Sequence, residues 1–390
     1  MVKVRLSNSI IVLSLFLLFT MVKAAENVSG EIRNIVPPQL DEEHLGRRIL
    51  CHRPTRRGSP NMSIEQRGEK IIAHNYGHGG SGLTLAPGCA SYVNNALEQS
   101  RYAATLNKND SITIIGAGII GLFTAYDLLQ RGYNKITVIA EKFDDLASYN
   151  AGGLFAQSSM GNDLEAQKII DEIGIYSYKF YETIAQGNHS VFKKGARIVP
   201  VYTCNREKSL LERYVGTVMQ PAKDVVLDFG NGTRRKMIVY DDGIFIDAAN
   251  MMAALIDYMR PCVQFVQRKI TNFSEIEDKY IINCAGLGAK ELNEDDAMTS
   301  IQGHLIMLRD QHIQDLSYMI GISCGSGITT HDQTVRRSFY IMPKKELNSG
   351  PNDVGVIGGT FIVGATAETP NEEEFDIVLK NAREFYGITA

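Results

Sequence analysis

The chain has 390 residues, 44% of them apolar and 22% charged, with a formal net charge of −4. That balance is ordinary for a globular protein long enough to hold two domains, and it gives no electrostatic reason to expect nucleic acid as a partner. The six cysteines, Cys51, Cys89, Cys204, Cys262, Cys284 and Cys324, form no CxxC pair, so neither a structural zinc nor a thioredoxin-type site is expected, and no metal site is assigned.

At the N-terminus, Lys3 and Arg5 precede an apolar run from Ile10 to Val22, and "VKA" closes it with small residues at the −3 and −1 positions of a cleavage site. This predicts a secretory signal over 1–24 and a secreted or periplasmic protein. An uncleaved anchor or a buried element is the alternative, although the run is short for a bilayer span. In an exported chain the even cysteine count permits disulfides without pairing them. Six Asn-x-Ser/Thr sequons, starting at Asn27, Asn61, Asn109, Asn188, Asn231 and Asn272, matter only in a host that glycosylates.

"HNYGHGGSGLTLAPG", His74 to Gly88, carries four glycines in its first nine residues and no Asp, Glu, Lys or Arg. Bare backbone at this density suits either a close ligand approach or a surface turn.

The next segment, Ser111 to Glu141, is the most informative. Ile112 to Ile115 reads as a buried parallel strand. Gly116, Gly118 and Gly121 then make G-x-G-x-x-G, a helix with Leu122, Ala125, Leu128 and Leu129 at core spacing follows, and Gly132 stops it. "KITVIA" is a second strand with Glu141 at its end. The glycines allow the tight turn, the approach of a pyrophosphate and close helix packing, while the acid accepts from ribose hydroxyls. The motif alone does not separate NAD from FAD. A second glycine pair, Gly152-Gly153, follows soon after the acid and favours a flavin lying against backbone. Further on, strand Tyr280 to Cys284 ends in "AGLGA", again small residues at a strand's carboxyl end.

These segments, with "GIFIDAANMMAAL", "FVQRKI", "SIQGHLIML", "FYIMP" and "CHRPTRRG", resemble the D-amino-acid oxidase family of FAD enzymes over roughly residues 44 to 390. "IIAHNYGHGGSGLTLAPGCA" is close to that family's own signature. The resemblance implies a non-covalent FAD held by Gly79, Gly82, Leu83, Thr84, Gly116, Gly118, Ile119, Ile120, Gly121, Glu141, Lys142, Gly152, Gly153, Leu154, Ile270, Cys284, Ala285 and Gly286. It implies a substrate clamp of Arg53 and Tyr340, with the Gly80 carbonyl on the substrate amine and His74 and His78 in structural roles. In the family the arginine-proline segment and the HNYG signature close the chain. Here they precede the GxGxxG loop, so the order looks circularly permuted.

The chain departs from the family pattern at three places. Arg336 stands four residues before Tyr340, where a second tyrosine is common. Ser81 stands at another common tyrosine. "AQSSMGND" after "AGGLF" lacks an aromatic. A more polar pocket is expected, and Arg336 could recognise a second carboxylate or face solvent.

The expected fold is α/β, with a GxGxxG-type FAD domain over 40–174 and 266–300 and a mixed-sheet substrate domain over 175–265 and 301–380. The expected activity is oxidation of the C–N bond of a D-amino acid or related amino acid by hydride transfer to flavin, with oxygen or another acceptor taking the electrons. A flavin dehydrogenase serving a quinone or carrier, a non-catalytic ligand-binding protein on the same scaffold, and a nicotinamide enzyme are the alternatives. The sequence leaves the oligomeric state open.

Overall fold

The computed structural model describes residues 30–157, 164–207, 209–312, 314–322, 328–330, 333–346 and 349–389. The predicted signal over 1–24, the sequon at Asn27, Cys324 and most of "AQSSMGND" lie outside the described residues.

In chain order the first elements are β1 (Glu31–Asn34), β2 (Leu45–Arg56), β3 (Ile64–Arg67), β4 (Lys70–His74), α1 (Gly82–Gln99), β5 (Ser111–Ile115), α2 (Ile119–Gln130), β6 (Lys135–Ala140) and α3 (Leu164–Ala185). Then come β7 (Ala196–Ile198), β8 (Val201–Thr203), β9 (Lys223–Asp228), β10 (Arg234–Tyr240), β11 (Ile244–Ile246), α4 (Ala248–Met259), β12 (Val263–Gln267) and β13 (Tyr280–Asn283). The last are β14 (Met298–Leu308), β15 (Met319–Ile322), β16 (Ile328–Thr330), β17 (Gln333–Met342), β18 (Val356–Val363) and α5 (Glu372–Tyr386).

Six strands form one sheet in the order β12-β6-β5-β13-β4-β3, parallel except for the edge hairpin β3–β4. Its central strands are mostly apolar and β-branched, broken by Thr113 in β5 and Thr137 in β6, because both faces are covered. Ile112 and Ile114 of β5 join the core shared with α1 and α2, while Ile115 joins Ile72, Ile139 and Ile281 on the opposite face. The predicted strand–helix–strand unit is β5–α2–β6, and Gly132 takes a left-handed φ of +88° just past the helix, where a side chain would be strained. The HNYG segment belongs to this sheet. β4 pairs in parallel with β13, beside β5, although it precedes both in the chain.

The second sheet has ten strands, in the order β1-β9-β10-β8-β15-β17-β18-β14-β2 with β16 on β17. One face carries Ile306, Leu308, Phe339, Ile341 and Ile357 under α5. The other carries Leu305, Met307, Tyr340, Met342 and Val356 into the core shared with the first sheet. This alternation is the period of two that a pleated strand imposes.

Three elements cross the expected domain limits. β2 falls in the segment assigned to the nucleotide domain, yet it pairs with β14 from Arg56 to Leu45 in the ten-stranded sheet. Its Ile49 and Cys51 are buried in the core between the sheets, and nothing local in an extended run says which sheet it will join. α3 runs unbroken through the expected limit at 174/175, because Ile170, Ile173, Tyr178 and Tyr181 form one buried stripe. α5 carries the second unit past residue 380 to Tyr386.

Candidate active site

The nucleotide end is built at the carboxyl ends of β5, β6 and β13. Gly116 has φ +111°, and a Cβ there would stand 2.3 Å from the Cys284 carbonyl oxygen. A Cβ on Gly121 would stand 2.0 Å from the Gly116 oxygen. Both positions admit only glycine without backbone movement. Gly118 caps α2 and leaves the first helical amides without intrahelical partners, which is the positive end of the helix. Ser148 Oγ accepts from the Ile119 amide at 3.0 Å. Ile119 and Ile120 are buried in the first turn. Glu141 is exposed past β6 and pairs with Lys269 at 3.4 Å, Lys142 pairs with Asp145, and Ile270 is half-buried near them. Cys284 is buried and leads to Ala285 and Gly286, the latter at φ +59°, where a Cβ would come within 3.8 Å of Pro54 of β2.

The ten-stranded sheet presents Arg53 and Tyr340 on its face toward that end. Arg53 lies opposite Ile301 on β14, and its guanidinium carbon is 4.6 Å from the Phe361 ring centroid. A Cβ on Gly303 would meet Arg53 Nη1 at 2.4 Å, and one on Gly358 would meet the Tyr340 hydroxyl at 2.5 Å. The two polar side chains therefore lie in space that glycines leave clear. The strand register shifts between Gln302 and Leu305 and again between Arg337 and Tyr340. Such irregularities re-aim side chains. They allow Gly358 and Phe361 to share one face while Thr360 turns to Glu374 on α5. Burial pushes the Tyr340 phenol up to about 12, against the opposing influence of Arg53.

The HNYG segment lies between these two ends. A backbone bridge joins Thr55 of β2 to His78, and a Cβ on Gly79, at φ +56°, would meet the Thr55 hydroxyl at 2.8 Å. Gly80 is exposed, Gly82 starts α1, and Leu83 and Thr84 are buried. Thr84 Oγ1 donates to the Ala156 carbonyl at 3.1 Å and accepts from the Ala156 amide at 3.2 Å, tying α1 to the residues after Gly152-Gly153. Gly153, at φ +105°, receives the Ile246 amide on its carbonyl at 2.7 Å, and Leu154 bridges Phe245. His74 is held by Glu65 at 2.8 Å and by Asn283 at 3.3 Å. His78 is 3% exposed, and burial lowers it to about 4.

The residues fit FAD. Gly116 and Gly121 exclude a Cβ, and the turn they make leads into the α2 N-terminus, where backbone amides would receive a pyrophosphate. Three buried polar atoms around the predicted flavin end, Arg53 Nη1, His78 Nε2 and Gln157 Nε2, have no hydrogen-bond partner among the described residues. Buried polar atoms in that state are rare unless a ligand or water completes them. Glu141, Lys142 and Ile270 lie at the β6–β12 side of the sheet, apart from Arg53 and Tyr340, so the structure does not gather every expected residue at one point. The local sequence did not single out Gly303, Gly358, Phe361 or Gln157. The first three enter through cross-strand register alone. Gln157 had a weak signal, as a polar residue just after "AGGLFA".

Comparison with known proteins follows the same lines. A family model described as DAO, FAD dependent oxidoreductase, matches residues 111–388. A D-amino-acid oxidase of Streptomyces coelicolor is 23% identical over 227 residues, 57% of this chain and 66% of that protein. The bifunctional tRNA 5-methylaminomethyl-2-thiouridine biosynthesis protein of a Psychrobacter species is 37% identical over 86 residues, 22% of this chain and 11% of that protein. The chain thus spans just under two thirds of one relative's length and about a tenth of the other's. Among solved structures, glycine oxidase from Bacillus cereus matches at 16% identity and a TM-score of 0.49, covering 70% of this chain and 77% of its own. L-proline dehydrogenase from P. horikoshii matches at 14% and 0.49, covering 72% and 78%. With the family model covering well over half of its length, the chain belongs to the DAO family of FAD-dependent oxidoreductases, and its cofactor is FAD.

Proposed function

We propose that the protein oxidises the Cα–N bond of an amine-bearing acid, a D-amino acid, giving the imino acid and then, with water, the 2-oxo acid and ammonia. The observation that carries this reading is the placement of Arg53 and Tyr340 side by side, in glycine-cleared space, on the sheet face that meets the nucleotide end. A planar guanidinium binds a carboxylate through two parallel hydrogen bonds. Arg53 Nη1 is buried and uncommitted, as such a clamp requires. The Tyr340 phenol stays protonated at neutral pH and donates to the same carboxylate. The exposed Gly80 carbonyl accepts from the substrate amine. With both ends of the substrate held, the α-hydrogen is aimed and little side-chain chemistry is needed. FAD, when bound, supplies the acceptor of the hydride, two electrons with one proton. Oxygen or another acceptor then takes the electrons from the flavin.

A narrower reading of the substrate rests on a second observation. Arg336 lies directly opposite Phe361 across the β17–β18 pair, so it shares the face on which Phe361 meets Arg53. Arg53, Phe361 and Arg336 form a row of two cations flanking an aromatic ring, which suits a D-amino acid with a carboxylate in its side chain.

Two further readings accompany the activity. The chain order is proposed to be a circular permutation of the family's order, supported by β4 and α1 lying beside β13 and α2 while preceding them in sequence. Such rearrangements are tolerated where termini and new joints lie at the surface. Export is proposed from the N-terminal pattern. The activity is tested by incubating purified protein with FAD and single D-amino acids and measuring 2-oxo acid and ammonia. Stoichiometric formation of both supports it, and absence of both with a flavin-loaded preparation excludes it.

A further inference from the structure

Lys344 is 4% exposed, an unusual degree of burial for a lysine. It follows the strand that carries Tyr340, and its backbone is fixed. Its amide donates to Met342 O, and its carbonyl accepts from the Gly355 amide, both at 2.8 Å. Its ammonium meets no carboxylate among the described residues. Instead Nζ donates to the Tyr149 carbonyl at 2.6 Å and to the Ala151 carbonyl at 2.7 Å.

Those two carbonyls belong to a tight turn, closed by Tyr149 N donating to Leu146 O at 2.9 Å and by Ala151 N donating to Ser148 O at 3.3 Å. The same turn presents Ser148 Oγ to the first amide of α2, in the nucleotide cradle. It leads directly into Gly152, where a Cβ would stand 2.6 Å from Met342 Sδ and 3.9 Å from the Tyr340 ring. One ammonium group thus joins the loop that reaches the cofactor end to the strand that holds the substrate clamp.

We propose that Lys344 is a positioning residue: it ties the Tyr149–Ala151 turn to the Tyr340 strand and so sets the spacing between the cofactor cradle and the carboxylate clamp. This rests on the reading of that face as the meeting of flavin and substrate. The tie carries a cost. Burial pulls the amine down to about 8, with Asp247 and Glu346 favouring its charge, the Cys51 thiol also raising it and Arg47 opposing it. A charge retained at such a cost, with two neutral carbonyls for partners, is better explained by placement than by stability.

Lys344→Met keeps the length of the side chain and removes its donors. In protein without FAD, amide exchange over residues 149–155 should quicken by about 10-fold or more, a local opening that leaves β5 and β13 unchanged. FAD should bind about 10-fold more weakly, and the absorption band of the flavin that does bind should shift. At saturating FAD, kcat should fall by about 10-fold or more while KM changes by no more than ~3-fold, because the substrate is still clamped but misplaced. Lys344→Gln, which keeps one donor, should lie between the two and serves as the test if the methionine variant does not fold. Unchanged exchange over 149–155 together with an unshifted flavin band would overturn the proposal. If the wild-type protein takes up no FAD, the reading of the face fails, while the exchange experiment still decides whether the tie exists.

Discussion

The guanidinium of Arg53 lies over the ring of Phe361, 4.6 Å from the centroid, and one of its terminal nitrogens is buried without a partner among the described residues. The aromatic ring orients the cation without using its N–H donors; one donor side meets the Tyr340 hydroxyl and Nη1 is left for an anion. A bidentate contact to a carboxylate should then contribute about 1.5–3 kcal/mol. Arg53→Lys keeps the charge and loses the fork. Its apparent substrate affinity should fall by about 10-fold or more, with Arg53→Ala weaker still, and both variants should retain FAD. Wild-type substrate dependence in both variants would place the carboxylate elsewhere.

Gly303 and Gly358 give a steric test of the same site. A Cβ on Gly303 would press on the Arg53 guanidinium, the movable end of a long side chain. Gly303→Ala should therefore raise KM by about 10-fold or more with FAD affinity within ~2-fold of wild type, since the guanidinium must move by about 1 Å to clear the new methyl. Gly121→Ala, whose Cβ would meet backbone at 2.0 Å, should abolish FAD binding instead. Equilibrium flavin titration beside steady-state kinetics separates the two outcomes.

Tyr340 should act through its hydroxyl alone. Tyr340→Phe removes one donor to a charged group and should lower kcat/KM by about 10-fold, within the 1.5–3 kcal/mol range of such bonds. Since the phenol is held up at about 12, the wild-type profile should show no tyrosine limb below pH ~10. A limb near pH 9 that disappears in Tyr340→Phe would show the phenol to be far more acidic than its burial implies.

His78 predicts an acid limit to stability. Its folded-state value, lowered to about 4 by burial, lies below that of the unfolded chain, near 6.5. Between those two values the unfolded state binds the proton and the native state does not. Stability is therefore full above pH 6.5 and lost as the pH falls toward 4, by up to about 3 kcal/mol for this group. The melting temperature of wild-type protein should drop over that window, and His78→Asn should flatten the drop. An equal pH slope in both proteins would show that the proton is taken up elsewhere.

Arg336 separates the broad substrate reading from the narrow one. It is exposed, but its position opposite Phe361 puts it on the sheet face that carries Arg53. Arg336→Ala should reduce kcat/KM for D-aspartate or D-glutamate by about 10-fold while leaving D-alanine within ~2-fold, as expected for loss of one charge-assisted contact. An equal effect on all three would remove the acidic-substrate reading.

The nucleotide unit was legible in the sequence because its signals are local. Gly116, Gly118 and Gly121, the strand before them and the acid after β6 lie within one βαβ segment, and Gly116 and Gly121 have a backbone reason to be glycine. The ten-stranded sheet was not legible in the same way. β2 reads as an extended run whichever sheet it joins, and only its pairing with β14 brings Arg53 beside Gly303. Phe361 and Gly358 reach Arg53 and Tyr340 through a register shift, which a period-two pattern does not reveal. Lys344 was passed over because a lysine after a strand ordinarily means the strand has reached solvent, whereas here the strand end is covered by the Tyr149–Ala151 turn.

The central claim, that FAD and the Arg53–Tyr340 clamp together oxidise a D-amino acid, is tested most directly by the flavin band of the purified, FAD-loaded protein under anaerobic conditions. Adding D-alanine and D-aspartate, each against its L-enantiomer, should bleach the band with at least one D-isomer and with neither L-isomer, and admitting oxygen should restore it. A loaded protein whose band is unmoved by every D-amino acid of a broad panel, or bleaches only with L-isomers, would contradict the account.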